Sequence, residues 1–121
     1  NIIKGKYTII DDSYNSSYEA LIGALSKLKH ERNHKIIILG DILELGNFSY
    51  KYHKKINKYL KKIRNKEVLL IGEYTKNING VHFETVESIN KYLRKRNIDN
   101  SIIYIKGSRK MNLDKIKIGP I

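Results

Sequence analysis

The chain of 121 residues has no cysteine, no tryptophan and a single proline, Pro120. Without cysteine it forms no disulfide and no thiolate metal site, which fits a reducing compartment, and we expect a cytoplasmic protein. No apolar run approaches the roughly 18 residues that a membrane-spanning helix needs, so we expect no membrane partner. The Gly-x-x-x-x-Gly-Lys-Ser/Thr loop and the Gly-x-Gly-x-x-Gly fingerprint are also missing. If the protein uses a nucleotide, we therefore expect another domain to hold its phosphates.

The formal net charge of +12 leaves two interpretations open. It could serve an anionic partner such as nucleic acid, a nucleotide or a phosphorylated substrate. It could instead reflect a coding bias towards lysine and asparagine that decorates solvated helix faces. The second interpretation is favoured because the lysines are spread over several predicted helices, with Asp and Glu between them. We therefore do not expect nucleic acid as the partner.

Hydrophobic periodicity predicts alternating strands and helices in one domain, residues 1–121. Ser16, with Glu19 three residues later, is predicted to cap the first helix, and Thr85 the third. The tail is predicted to hold a short helical turn and a strand near 115–118. The order predicts an α/β domain with a mostly parallel sheet and helices on both faces. The predicted strands are 6–10, 35–39, 67–71, 81–83 and 101–105, and the helices are 17–30, 49–64 and 86–96.

Polar residues gather where three of these strands end. The junctions are Asp11-Asp12-Ser13-Tyr14-Asn15, the segment 40–46 from Gly40-Asp41 through Glu44 to Gly46, and Lys106-Gly107-Ser108-Arg109. The carboxyl ends of parallel strands in open α/β sheets form ligand sites. Three such junctions in one short chain predict a site at this edge.

Each junction also has a structural explanation. The Asp12 carboxylate could accept hydrogen bonds from a ribose diol, help to hold a metal or act as a base, or it could cap a helix. The glycines of 40–46 permit close approach to a ligand or an ordinary tight loop. The cations of 106–109 suit a carboxylate or phosphate, or form a basic surface turn. His53 is more typical of a packing or capping residue than of a catalyst.

The three motifs in order resemble the carboxyl-terminal domain of the MurF family of Mur ligases, over about residues 7–116. This resemblance implies a Rossmann-like three-layer domain of a three-domain enzyme, of which this chain is a fragment. The family adds D-alanyl-D-alanine to UDP-N-acetylmuramoyl-tripeptide through an acyl phosphate, in the peptidoglycan synthesis that supports the cell wall, cell shape and cell division. ATP and Mg²⁺ are then held mainly by the absent central domain, so the isolated domain is expected to be inactive and to contain no catalytic residue and no metal site.

The resemblance also assigns roles by position. It places the Asp12 carboxylate at the ATP ribose and the other nucleotide-binding residues beside it, and it sets the substrate-binding residues in the next two loops. His53 falls where the family often has a histidine. The nucleotide-binding set is Asp12, Tyr14 and Asn15, and the substrate-binding set is Asp41, Glu44, Lys106, Ser108 and Arg109.

The chain departs from the family pattern at one place. The family often continues Tyr-Asn-Ala-Asn-Pro, whereas this chain has Tyr14-Asn15-Ser16-Ser17-Tyr18. Two other functions therefore stay open, a sister Mur ligase that adds a single amino acid, and a free-standing basic module that binds a nucleotide or nucleic acid.

Overall fold

The computed structural model describes residues 2–4, 6–13, 17–42, 49–108 and 111–117. These residues form six strands and three α-helices, with a short 3₁₀-helix after β4 and another after β6. In that part of the chain no helix is long and apolar enough to cross a bilayer. The elements are β1 (Ile2–Lys4), β2 (Thr8–Asp11), α1 (Tyr18–Leu28), β3 (Lys35–Gly40), α2 (Ser49–Leu60), β4 (Lys66–Ile71), a 3₁₀-helix (Tyr74–Asn77), β5 (Val81–Phe83), α3 (Val86–Arg94), β6 (Ile102–Lys106) and a 3₁₀-helix (Leu113–Lys115).

The strands form one sheet in the order β1-β2-β6-β3-β4-β5. Five of them, β2 to β6, run parallel, and β1 pairs antiparallel with β2 at one edge. The prediction of a three-layer α/β domain with a mostly parallel sheet is therefore confirmed. Strand β6, the last in the chain, lies between β2 and β3.

Two hydrophobic cores cover the two faces of the sheet. On one face α1 and α2 pack against Ile37, Leu39 and Tyr104, and on the other α3 packs against Ile36 and Ile103. Alternate residues of a strand point to opposite faces, so a central strand with both faces covered needs apolar residues at every position. This explains the continuous apolar run in β3.

Several predicted boundaries shift in the structure. α2 ends at Leu60 and not near residue 64, although Ile63 in the following turn stays buried. The predicted helical turn in the tail is present, as the 3₁₀-helix Leu113–Lys115. The strand predicted near 115–118 is wrong for the described residues, because 116–117 make no strand pairing. Asn90 of α3 holds that segment instead, since its amide donates to the Lys115 carbonyl and accepts from the Lys117 N–H.

Of the two predicted helix N-caps, the structure confirms one and corrects the other. Thr85 caps α3 as predicted, accepting the Ser88 N–H at 3.1 Å. The cap of α1 is Ser17 and not Ser16, because the Ser17 hydroxyl accepts the Ala20 N–H at 3.2 Å. Both serines can cap a helix, so the residue type alone does not distinguish them.

Gly72, directly after β4, has a backbone that only glycine adopts readily. Its φ is +121°, and a Cβ at this position would overlap with the carboxylate of Asp41. Gly23, in the middle of α1, is the opposite case, because a Cβ there would meet no atom within 4 Å. Glycine at position 72 therefore avoids backbone strain and a steric overlap, whereas position 23 has open space that an alanine side chain could occupy.

We predict that Gly72→Ala lowers the free energy of unfolding by about 2–3 kcal/mol, because it adds strain and a steric overlap. Gly23→Ala is the matched control and is expected to raise it by about 0.5–1 kcal/mol. Urea denaturation followed by circular dichroism measures both. A Gly72→Ala protein as stable as the parent would contradict the assigned backbone conformation.

Candidate functional site

The three polar junctions meet at one edge of the sheet. Asp11 at the end of β2 pairs with Ile105 of β6, and Lys106 pairs with Leu39 of β3. Because these strands are parallel, the residues that follow them lie side by side. The described parts of the junctions, 11–13, 40–42 and 106–108, thus form a common carboxyl edge, as the sequence predicted.

A buried ion pair connects the first and third junctions. The Lys106 ammonium group donates to Asp12 Oδ2 at 3.0 Å, and the Tyr104 phenol donates to the same oxygen at 3.0 Å. The Lys106 side chain is completely buried, whereas that of Asp12 is 33% exposed. Asp12 Oδ1 has no hydrogen-bond partner within the described residues. The edge therefore presents one free carboxylate oxygen whose partner oxygen is fixed.

The environment of this pair keeps the Tyr104 phenol protonated. Burial, the negative charge of Asp12 and the hydrogen bond to it together raise the pKa of Tyr104 well above its ordinary value. A protonated phenol can only donate to Asp12, and the buried ammonium group needs a negative partner. Tyr104 and Lys106 thus orient Asp12 as an acceptor.

A groove of about 610 Å³ begins at Asp12 and runs along α1. Its size is within the range of small-molecule sites. Its floor is made by side chains of β2 and β6, and its wall by small residues of α1. The lining residues are Ile10, Asp12, Ala20, Gly23, Ala24, Lys27, Leu28, Glu31, Ile102 and Tyr104.

Two buried hydroxyl groups at the carboxyl edge have no hydrogen-bond partner among the residues that the structure describes. They belong to Ser13, whose residue is 4% exposed, and Ser108, which is 6% exposed. An unpaired buried hydroxyl costs about 1–3 kcal/mol, so such groups point to a missing ligand or a second conformation. Both serines follow directly from strands that end at the edge.

Asp41 in the second junction is engaged by the protein itself. Its carboxylate accepts the N–H groups of Glu73, Tyr74 and Thr75 at 2.9 to 3.0 Å, and so caps the first 3₁₀-helix. Its own carbonyl accepts the Ser108 N–H at 2.9 Å. Asp41 is 4% exposed. It therefore ties the ends of β3, β4 and β6 together, and its predicted contact with substrate stays a prediction.

His53 is buried and holds α2 against the second junction. Its Nδ1–H donates to the Ser49 carbonyl, and its Nε2 accepts the Ile42 N–H at 3.0 Å. Its ring stacks on Tyr74 with centroids 5.4 Å apart. Desolvation lowers the pKa of His53 below its ordinary value, against the opposing effects of Ser49 and of the Asp41 charge. His53 therefore packs α2 against the second junction, and its possible contact with substrate stays a prediction.

The depressed pKa of His53 predicts a pH-dependent stability. Neutral His53 contributes its full stability above about pH 6.5, and this stability is lost as the pH falls through the lower folded-state pKa. Between about pH 7 and pH 5 the parent should therefore lose more unfolding free energy than His53→Gln. Urea denaturation at several pH values measures the difference. His30→Gln, at an exposed position, is the control, and equal losses in all three proteins would contradict the assignment.

The structure brings together only part of the predicted site. Asp12 and Lys106 are in contact, Ser108 and Asp41 are joined through the backbone, and His53 lies behind them. Tyr14, Asn15, Glu44 and Arg109 lie outside the described residues. Among the described residues no group of three His, Asp or Glu side chains could hold a metal ion.

The sequence analysis missed Tyr104 and did not select Ser13. Tyr104 could have been found in the sequence, because it is the one phenol in a run of isoleucines. It precedes Lys106 by two positions, so both side chains lie on the same face of β6. Ser13 has no such signal, since serine is common after a strand and only burial distinguishes this one.

Comparisons with known proteins identify relatives of the whole domain. Residues 1–111 match the family model described as Mur ligase, glutamate ligase domain. A curated relative named UDP-N-acetylmuramoyl-tripeptide–D-alanyl-D-alanine ligase, from Buchnera aphidicola of Acyrthosiphon pisum, is 30% identical over 95% of this chain and 27% of its own length. A relative of the same name from Rickettsia prowazekii is 33% identical over 89% of this chain and 26% of its own length.

Solved structures show the same fold. MurF ligase from Thermotoga maritima in complex with ADP matches with a TM-score of 0.84 at 23% identity, over 96% of this chain and 28% of that one. A MurF structure from Acinetobacter baumannii matches with a TM-score of 0.80 at 21% identity, with the same coverage of both chains. The chain thus spans about a quarter of the length of these proteins. The family model covers nearly all of the chain, and so the chain belongs to the Mur ligase family.

Proposed function

We propose that this chain is the carboxyl-terminal domain of a three-domain, ATP-dependent ligase that adds D-alanyl-D-alanine to UDP-N-acetylmuramoyl-tripeptide. The observation that carries the proposal is the carboxyl edge, where a carboxylate oxygen fixed by a buried lysine and a tyrosine leaves the second oxygen of Asp12 free. The names of the curated relatives, which align with 89% or more of this chain, favour the dipeptide over a single amino acid.

The absence of a phosphate-binding loop from this sequence indicates which substrates the other domains would bind. The sequence has no phosphate-binding loop, so the upstream domains would bind the triphosphate of ATP, Mg²⁺ and the UDP-sugar. ATP with Mg²⁺ supplies the phosphoryl group that activates the peptide carboxylate. The carboxyl edge would close over that site and hold the incoming amine in line with the activated carboxylate, which is catalysis by positioning. ATP and the UDP-sugar are cytoplasmic molecules, and we therefore place the enzyme in the cytoplasm.

Asp12 is the residue that we assign to the nucleotide. A ribose diol offers two donors, and Asp12 Oδ1 is a free acceptor on a side chain that is one-third exposed. Tyr104 and Lys106 bind the other oxygen and so prevent rotation of the carboxylate. The fit of a charged, pre-oriented acceptor to a diol supports this role.

The third junction is assigned to the added dipeptide. Ser108 is buried with an unpaired hydroxyl, which a carboxylate or amine of the substrate would satisfy when the domains close. Lys106 is buried in its pair with Asp12, so we assign it to orienting that carboxylate, and any contact with substrate would need the pair to open. Arg109, next in the sequence, would supply the charge for the substrate carboxylate.

In the intact ligase we predict that Asp12→Asn raises the KM for ATP by about ten- to a hundredfold, the equivalent of one hydrogen bond to a charged group. Its KM for 2′,3′-dideoxy-ATP should change much less, because that nucleotide lacks the diol. Steady-state kinetics with both nucleotides measures the discrimination. Tyr104→Phe, which removes one support of the carboxylate and keeps its charge, is the control and should have a smaller effect. If Asp12→Asn weakens both nucleotides equally, the ribose assignment is wrong.

Substrate choice separates the proposed ligase from its sister enzymes and from a free-standing module. We predict ATP-dependent phosphate release by the intact protein with D-alanyl-D-alanine, and at least tenfold less with single amino acids such as lysine or diaminopimelate, equivalent to about 1.4 kcal/mol of discrimination. Preference for a single amino acid would support a sister ligase. If the intact protein has no phosphate-binding loop upstream of residue 1, both ligase hypotheses are excluded.

A further inference from the structure

The fold separates the charges of this protein between its two ends. Each α-helix runs from the carboxyl edge of the sheet to the amino edge, because each connects the end of one parallel strand to the start of the next. α1 and α3 begin with Glu19 and Glu87, and their last turns carry Lys27 and Arg94. In α1 and α3, acidic residues near the helix starts and basic residues near the helix ends thus fall at opposite ends of the domain, whereas α2 has no acidic residue in its first turn.

We name the basic end the cationic pole. It consists of exposed side chains at the ends of α1, α2 and α3 and in the loops that follow them. Its members are Lys27, Lys29, Arg32, Lys61, Lys62, Arg64, Arg94, Lys95 and Arg96.

Direct hydrogen bonds hold the three loops of the cationic pole together. The Lys35 N–H donates to the Asn65 carbonyl at 2.9 Å, and the Ile102 N–H donates to the His34 carbonyl at 2.9 Å. The Asn33 side chain donates to the Asn100 carbonyl at 2.7 Å. Cations that are far apart in the sequence are therefore held on one rigid surface.

Few negative charges oppose this surface. Glu67, which lies beside it, is already bound by His34 at 2.7 Å, by Arg96 at 2.6 Å and by the Tyr92 phenol. Of the cationic pole, only Arg96 forms an ion pair within the described residues. Glu31 and Asp99 are exposed nearby, and each helix C-terminus adds about half a negative charge. The cations clearly exceed these charges.

The sequence analysis predicted no membrane partner, because no segment could span a bilayer. We propose instead that the cationic pole is an electrostatic docking surface for anionic phospholipid membranes, bound without insertion. The cations come from loops on both sides of the sheet and so cover a two-dimensional end of the domain, which complements a plane of lipid phosphates. A single nucleic-acid strand would contact only a line of them. Binding of single strands also relies on exposed aromatic side chains. The one such residue in the described part of the chain, Tyr50, belongs to the first turn of α2 at the other end.

This orientation is compatible with the proposed enzyme. A domain bound by its amino edge turns the carboxyl edge, with Asp12 and Ser108, away from the membrane. The docking surface and the candidate site therefore do not compete. The linear sequence does not reveal this surface because its members lie in three separate segments, and only the parallel topology brings those segments together.

The test is binding of the intact protein to sedimented vesicles. Vesicles of phosphatidylcholine with about 30% phosphatidylglycerol should retain the protein at about 0.05 M salt and release it at about 0.5 M, where the Debye length is only a few ångströms. Vesicles of phosphatidylcholine alone should not bind it. No binding to the anionic vesicles at low salt would overturn the proposal.

Two triple variants of equal charge locate the surface. Lys61→Gln with Lys62→Gln and Arg64→Gln removes three charges at the cationic pole and should weaken vesicle binding by about tenfold or more. Lys51→Gln with Lys54→Gln and Lys55→Gln removes three exposed charges from the first half of α2 and should change it less than about twofold. All six positions are exposed, and thermal unfolding confirms that both variants fold. Equal losses of vesicle binding in the two variants would mean that net charge alone drives binding. Tighter binding to single- or double-stranded nucleic acid than to vesicles would assign the surface to nucleic acid. Either result overturns the proposal.

Discussion

The placement of β6 between β2 and β3 is the constraint on which the rest of the structure depends. It is a pairing between the two ends of the chain, since Asp11 and Ile105 are partners across two strands. Until this pairing forms, Asp12 has no contact with Lys106, and Ser108 has none with Asp41. Parallel pairing at such sequence separation is slow to form because a long loop must close first. The candidate site therefore exists only when the whole domain has folded.

Buried polar groups at the carboxyl edge divide into those that are satisfied and those that are not. Asp41 has three amide donors and His53 has a donor and an acceptor, so these residues fix the loops around the site. Within the described part of the chain, the hydroxyl groups of Ser13 and Ser108 have no partner, and the partly exposed Asp12 retains a free oxygen. A stable domain tolerates few unpaired buried groups. Their concentration at one edge is the physical reason to regard that edge as half of a site.

The same parallel topology accounts for the charge distribution. A right-handed crossover returns each helix to the amino edge, so residues at the helix ends and in the next loop always meet there. Basic residues at helix ends are individually favourable because they complement the helix dipole. Their accumulation on one surface is a collective effect, and it gives the domain a charged end opposite to the site.

Much of the fold and part of the site could be predicted from the sequence. The unbroken apolar run of β3 indicated a strand covered on both faces, and the polar residues after β2, β3 and β6 indicated the edge where a site forms. The choice between Ser16 and Ser17 as a cap could not be predicted, because both have the same chemistry. The tail, predicted as a strand, is held by Asn90 of α3 through contacts that no local pattern encodes.

The sequence by itself determined the type and order of the central strands and of the helices, with the approximate position of their ends, since hydrophobic periodicity is a local property. Only the tertiary structure decided which residues at those ends meet. In the folded domain Asp41 and His53 hold loops together, and Asp12 pairs with Lys106 and Tyr104. The cations of three loops come together at the cationic pole. The reason is that burial and charge depend on neighbours brought together by strand pairing, and the linear order of residues does not specify those neighbours.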